Sequence, residues 1–173
     1  KLNYSSAGIG SPLHLAAEMF KFRTGINLVH VPYKGGGPAA AAALAGEVQV
    51  VFGSVVATLP QVKAGRLRAL ALTGLKRSAV MADVPTLNES GFAGFNVTSW
   101  YAFLVPAKTP RPVVQRLFDE AQRALKMHDV IETLARQGLE VEASASPEAF
   151  TAELKAESAG WAQLIRAANI RAD

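Results

Sequence analysis

Apolar residues in the first half of the chain fall in short blocks whose period switches between helical and extended. After an extended opening at Leu2-Asn3-Tyr4, residues Pro12 to Thr24 place Leu13, Ala16, Ala17 and Phe20 on one helical face. Leu15, Met19 and Phe22 line another, so the helix is expected to be largely buried. His14, Glu18 and Lys21 form its polar stripe, read as a solvated face, and Gly25 is a natural stop. Ile26 to Val31 predicts a strand, Pro38 opens an Ala-rich helix ended by Gly46, and Val48 to Phe52 is nearly continuous in apolar residues, as in a strand buried on both faces. A short helix with Leu59 and Val62 stops near Gly65, and Leu67 to Thr73 predicts a fourth strand. Strands alternating with helices in this way specify an α/β fold with a parallel-rich sheet flanked by helices and right-handed crossovers.

The pattern then changes. Gly74 to Ser99 is irregular, with a turn or short helix around Asp83 to Gly91 and an extended piece at Phe95-Asn96-Val97. Trp100 to Val105 predicts an apolar strand. Thr109-Pro110 opens an amphipathic helix to about Lys126, with Val113, Leu117, Ala121 and Leu125 on one face. A short helix follows over Asp129 to Gln137, then an extended piece at Leu139 to Glu142. Ser146-Pro147 caps a long last helix carrying Phe150, Leu154, Trp161, Leu164 and Ile165. This second stretch has no complete sheet of its own, which places a boundary near Ser99 and divides the chain into residues 1–99 and 100–173. Trp100 at that boundary is either core or a hinge-side contact, with core the expectation, and Trp161 is expected in the core.

Three loops, Ser5–Ser11, Tyr33–Pro38 and Gly53-Ser54, each follow a strand and precede a helix. All three therefore emerge at the carboxyl edge of the sheet, where open α/β sheets bind ligands. The first is the most suggestive. Gly8 and Gly10 permit close backbone approach, Ser6 and Ser11 add hydroxyls, and Pro12 suits the first position of a helix whose free N–H groups favour an anion. The alternative is a tight strand-to-helix turn holding nothing. Lys34-Gly35-Gly36-Gly37 likewise reads as an anion loop or as a flexible turn with a solvated lysine, since Lys34 precedes its glycines and the phosphate-loop pattern is absent. Tyr33 is a ligand wall or a packed strand end.

Bulk properties narrow the chemistry. The 173 residues are 50% hydrophobic and 18% charged, which suits a globular fold rather than a disordered chain. No apolar run approaches the roughly 20 residues that span a bilayer. The net charge of +4 is scattered, without the basic and aromatic interleaving of a nucleic-acid groove, so small acidic molecules fit better as partners. Absence of Cys removes thiolate catalysis, disulfides and Cys-based metal sites. His14 and Glu18 have metal-pair spacing but no third ligand, and no metal or cofactor is expected. Ser6 or Ser11 as a nucleophile would need a base; only His14 offers itself, the G-x-S-x-G elbow is missing, and catalysis is not expected. His30 reads as a satisfied strand residue and His128 as a helix-boundary residue. The sequence shows no signal peptide and starts at Lys1 directly on strand-like residues, as a fragment or processed form would.

These motifs, in this order, resemble the Bug/TctC family of extracytoplasmic solute receptors of tripartite tricarboxylate transporters. The resemblance is carried by Tyr4 to Leu15, Val31 to Pro38, Lys63 to Ala71, Asp83 to Leu87, and Ser99-Trp100-Tyr101 leading to Pro106, and it covers essentially the whole chain. It implies a two-lobed periplasmic binding protein of type II that closes on a small carboxylated solute without catalysis and hands it to membrane transporter subunits. This chain resembles the second lobe (1–99) and the C-terminal return into the first (100–173). The family's N-terminal portion has no counterpart here, so half of the clamp is expected elsewhere and the uncovered core face is expected to leave apolar surface open to self-association. The resemblance implies that backbone N–H groups over Ala7, Gly8, Ile9, Gly10 and Ser11, with the Ser6 and Ser11 hydroxyls, hold the carboxylate directly or through water. His14 stands close enough to bond the solute. Tyr33, Lys34 and Gly35 then form a wall with a positive field, and Gly53, Ser54, Thr98 and Ser99 complete the pocket, with closure about Tyr4 and Ser99. Phe52 is followed by Gly53-Ser54 where the family often has Asp-Asn, which points to a plain carboxylate rather than an amine-bearing solute. An effector-sensing domain of a cytoplasmic regulator and a small α/β hydrolase using the same loop edge are the alternatives.

Overall fold

The hydroxyl of Ser11 and the ring of Pro12 start the first helix as their chemistry dictates. In the computed structural model, which describes residues 1–167 and Ile170, Ser11 has extended backbone and its Oγ accepts the His14 N–H at 3.2 Å. Helix α1 (Pro12–Thr24) ends at Gly25, left-handed at φ 71°, whose N–H bonds back to the Lys21 carbonyl. It follows strand β1 (Leu2–Ser6) and leads to β2 (Leu28–Pro32). Helix α2 (Gly36–Leu44), strand β3 (Val50–Val51) and helix α3 (Val55–Lys63) complete the alternating part.

The three strands are parallel in the order β2-β1-β3, with Tyr4 opposite both His30 and Val50. Central β1 is therefore covered on both edges, and Tyr4, Ser5 and Ser6 are buried. Tyr4, Ala17 and Leu28 form a core cluster against which Phe20, Val50 and Phe52 pack. Helix α2 starts two residues before Pro38, on Gly35 at φ 113°. Its small side chains let it lie close to β1: Ala39, Ala40 and Ala42 are buried, and Ser5 Oγ donates to the Ala39 carbonyl at 2.8 Å.

The fourth strand does not form. Leu67 to Thr73 runs outside any strand, Leu70 is 69% exposed, and only Leu72 makes a bridge, to Thr86. Its backbone partners are local instead, Leu72 with Pro85 and Leu87, and Thr73 with Val97. β3 contributes only two paired residues and gives a fourth strand little edge to extend. A short 3-10 turn (Ala79–Met81) and a loop holding Phe95 and Val97 buried finish this unit of residues 1–99.

Residues 100–167 form a second compact unit, with helices α4 (Arg111–Ala124), α5 (His128–Arg136) and α6 (Pro147–Ala167). Three expectations are corrected here. Trp100 to Val105 is not a strand, because among the described residues no neighbour supplies a ladder, and Phe103 is 91% exposed. Trp100 is 48% exposed rather than core; its ring meets Phe150 edge-on at 5.6 Å and its indole N–H donates to Glu157. Trp161 is half-buried and bonds the same carboxylate, and the apolar residues Val113 and Leu117 of α4 are exposed. His128 opens α5, and Ser146 caps α6 through the Ala149 N–H.

Candidate functional site

The carboxyl ends of β1, β2 and β3 release the three loops singled out by the sequence, and two kinds of contact bring them together. Gly35 N–H donates to the Ala7 carbonyl at 3.2 Å, and a Cβ at Gly8 would stand 3.2 Å from the Tyr33 carbonyl. The second loop thus lies directly against the first. A Cβ at Gly36 would meet Ser54 Oγ at 3.7 Å, which sets the third loop beside the second. Gly8 at φ 123° and Gly10 at φ 77° have backbones that only glycine adopts without strain. Gly53 is tight for a different reason, since a Cβ there would collide with Thr58.

Within the first loop, several expected ligand donors are engaged with the protein itself. Ser11 Oγ donates to the Gly8 carbonyl at 2.7 Å while capping α1. Ser6 Oγ lies 2.7 Å from His30 Nε2 and accepts the Gly8 N–H at 3.3 Å. Gly10 N–H donates to His14 Nδ1 at 3.2 Å. Ser54 Oγ accepts the Ala57 N–H at the start of α3. Ile9 and Lys34 are exposed at their loops. The Tyr33 hydroxyl donates to Glu47 at 2.7 Å, a bond that raises its pKa. Thr98 and Ser99 are exposed, with Thr98 packed on Gly74.

Beneath the loop lies a polar cluster that overturns the solvated-stripe expectation. His14 is buried and the Glu18 side chain is only 14% exposed. Glu18 Oε1 accepts from the Tyr4 hydroxyl at 2.7 Å and from Lys21 Nζ at 2.7 Å, and lies 3.9 Å from His14 Nε2. The His14 and His30 rings stack at 4.3 Å, and Tyr4 stacks on His30 at 4.8 Å. The stripe faces inward because β1 presents a phenol rather than a hydrocarbon opposite it.

Burial sets most of the electrostatics. It lowers the His30 pKa to about 4, with His14 adding in the same direction, and it lowers that of His14 despite Glu18. Burial works against the Glu18 carboxylate, but hydrogen bonds from Lys21 and Tyr4 outweigh it and hold its pKa below the usual range. Burial first, then the Glu18 bond, raises the Tyr4 phenol. Both imidazoles are therefore neutral at pH 7, above an ion pair. His14 must carry its proton on Nε2, because the Gly10 N–H can only donate to Nδ1.

His30 is the residue that sequence reasoning undervalued. Ser6 and His30 have the spacing of a nucleophile and its base, but Ser6 is completely buried and no substrate atom reaches it. Among the described residues no group of three or more His, Asp or Glu could hold a metal ion.

This arrangement is of the periplasmic-binding-protein class, a parallel sheet flanked by helices with its loops gathered at the carboxyl edge. Over residues 1–170 the chain matches the family model described as "Tripartite tricarboxylate transporter family receptor", TctC, and it belongs to that family. It is 38% identical over 166 residues to a protein of Pseudomonas sp. (strain P51) described as "UPF0065 protein in tcbD-tcbE intergenic region", covering 95% of this chain and 49% of that one. Among solved structures, one described as "Structure of a periplasmic transporter" superposes with a TM-score of 0.91 at 40% identity, over 100% of this chain and 57% of that chain. A second, "R. palustris Rpa4515 with adipate", gives 0.87 at 30% identity, over 98% and 56%. The chain spans about half the length of most curated relatives it matches.

Proposed function

We propose that this chain supplies the carboxylate-holding face of a periplasmic receptor, which captures a small carboxylated solute and presents it to the membrane subunits of a tripartite tricarboxylate-type transporter. The observation that carries this reading is the convergence of three strand-to-helix loops at one sheet edge, one of them a glycine turn on the N-terminus of α1. Such a terminus favours a carboxylate through its amides and the helix dipole. Support comes from the adipate-bound relative, which shares this fold. Backbone amides of the Ala7–Ser11 turn that are not already bonded within the protein would hold one carboxylate, directly or through water, and Lys34 would add positive field from the neighbouring loop. Ser54, Thr98 and Ser99 would extend the pocket. The process is capture without bond making, and Ser6, fully enclosed, takes no part as a nucleophile. Calorimetric titration of the full-length protein with a panel of mono-, di- and tricarboxylates tests the reading. Saturable binding of at least one dicarboxylate is expected, and no heat from any member of the panel would sink it.

A further inference from the structure

The loop proposed to hold the solute is tied to the polar cluster beneath it at two amides: the Gly8 N–H bonds Ser6 Oγ, which pairs with His30, and the Gly10 N–H bonds His14 Nδ1. Gly10 is exposed with a left-handed backbone, and a Cβ added to it would meet nothing within 4 Å. Its anchor, by contrast, is fixed on every side. His14 sits in the first turn of α1, its ring is stacked on His30 from β2, and its Nε2 faces Glu18, itself held by Lys21 of α1 and by Tyr4 of β1. These four groups, His30, Glu18, Lys21 and Tyr4, are the titratable neighbours that face the imidazole.

We propose that His14 is a positioning residue of this receptor: its unprotonated Nδ1 holds the Gly10 amide, and so keeps the Gly8–Ser11 turn in the shape that receives a carboxylate. The physical reason is the tautomer. Nδ1 is an acceptor only while the ring is neutral; a proton there converts it to a donor facing the Gly10 N–H, and two donors repel. Acid therefore releases the turn from its anchor although His14 itself is buried beneath the turn. Burial favours the neutral ring and so delays that release to below the ordinary imidazole range. Stacked imidazoles also oppose double protonation, so His14 and His30 titrate as a pair.

The proposal rests on the solute-receptor reading for its consequence but not for its geometry, and the experiment separates the two. Two variants are made in the full-length protein. His14→Phe keeps a ring to stack on His30 and removes the acceptor. His14→Asn offers an amide oxygen near the position of Nδ1 and does not titrate. Hydrogen exchange of the Gly10 amide, read by NMR without solute, should quicken about five- to tenfold in His14→Phe, as expected for one lost hydrogen bond, and return most of the way in His14→Asn. Adipate affinity should follow the same order. It should also fall on acidification below pH 6 more steeply in the wild type than in His14→Asn, where the solute protonates identically. Unchanged Gly10 exchange in His14→Phe overturns the proposal, as do superimposable pH profiles of wild type and His14→Asn. If adipate fails to bind the wild type, the receptor reading loses its support, while the exchange data still decide whether His14 holds the turn.

Discussion

Replacing Glu18 by Ala separates two pictures of the first helix. A solvated stripe predicts a change within about 0.5 kcal/mol, the usual cost of a surface substitution. The structure predicts more. Removing the carboxylate leaves the hydroxyl of Tyr4, which is fully buried, without its acceptor at 2.7 Å. An orphaned buried hydroxyl costs about 1–3 kcal/mol. Lys21 loses a partner too, but its side chain is 24% exposed and can turn to water, so that pair adds only about 0–1 kcal/mol. The expected total is about 1–4 kcal/mol. Both tryptophans lie in the unit of residues 100–167, so fluorescence would not report the loss. Native-state hydrogen exchange of β1 amides does. In a Tyr4→Phe background no hydroxyl is orphaned, and the Glu18→Ala cost should fall by about 1–2 kcal/mol, the coupling of the pair. A cost below about 0.5 kcal/mol, or equal costs in the two backgrounds, would refute an inward-facing Glu18.

Acid should destabilise the first unit before carboxylate titration does. The folded His30 pKa of about 4 lies below the ordinary 6.5, so the unfolded chain binds more protons between these values. Stability is full above pH 6.5 and drains as the pH falls toward 4, by about 2 kcal/mol after allowing for partial solvent access; a flat urea midpoint across that window would contradict it. Gly8→Ala, with φ 123° and the Tyr33 carbonyl 3.2 Å from the new Cβ, should cost about 2–3 kcal/mol, and Gly10→Ala, in open space, about 1 kcal/mol; equal exchange losses in β1 would reject the close approach of the two loops. Ser11→Ala removes the α1 cap and should cost about 1 kcal/mol and weaken binding of any carboxylate the panel identifies, with unchanged affinity in calorimetry removing Ser11 from the site. Expressed alone, residues 1–173 should self-associate through exposed Tyr101, Phe103 and Leu104, and a monomeric mass at every concentration in sedimentation would exclude this.

What could be read from the sequence follows from which interactions are local. Ser11, Pro12 and Gly25 mark the ends of α1 because caps involve residues a turn away, and the strand-to-helix order brings three loops to one edge. Strands at Leu67 to Thr73 and Trp100 to Val105 could not be decided locally, since an apolar run becomes a strand only when another edge accepts it. Periodicity likewise groups His14, Glu18 and Lys21 on one face without saying what stands opposite. The missing datum is strand order. Once β2 is known to pair with β1 with Tyr4 opposite His30, alternation puts Tyr4 and Ser6 on one face beside His30, and the Ser6–His30 pair at 2.7 Å follows.

Strand order also changes the account of the loop. The Ser6 and Ser11 hydroxyls and the Gly10 amide looked like ligands for a solute, yet each is engaged within the protein. A carboxylate must then draw on the remaining backbone amides of the turn or displace bonds already made. The first course needs a turn whose amides are aimed in advance, because ordering a flexible loop on binding consumes affinity. The polar cluster supplies such order from below: an ion pair at Glu18 and Lys21 steadies Tyr4 and faces His14, and His14 and His30 tie down Gly10 and Ser6. Selectivity would accordingly reside in the shape of the turn rather than in hydroxyl chemistry. Substitutions at Ser6, Ser11 and His14 should therefore lower solute affinity in proportion to how far each loosens β1 and the turn, whereas a set of direct ligands would lose affinity without any change in exchange.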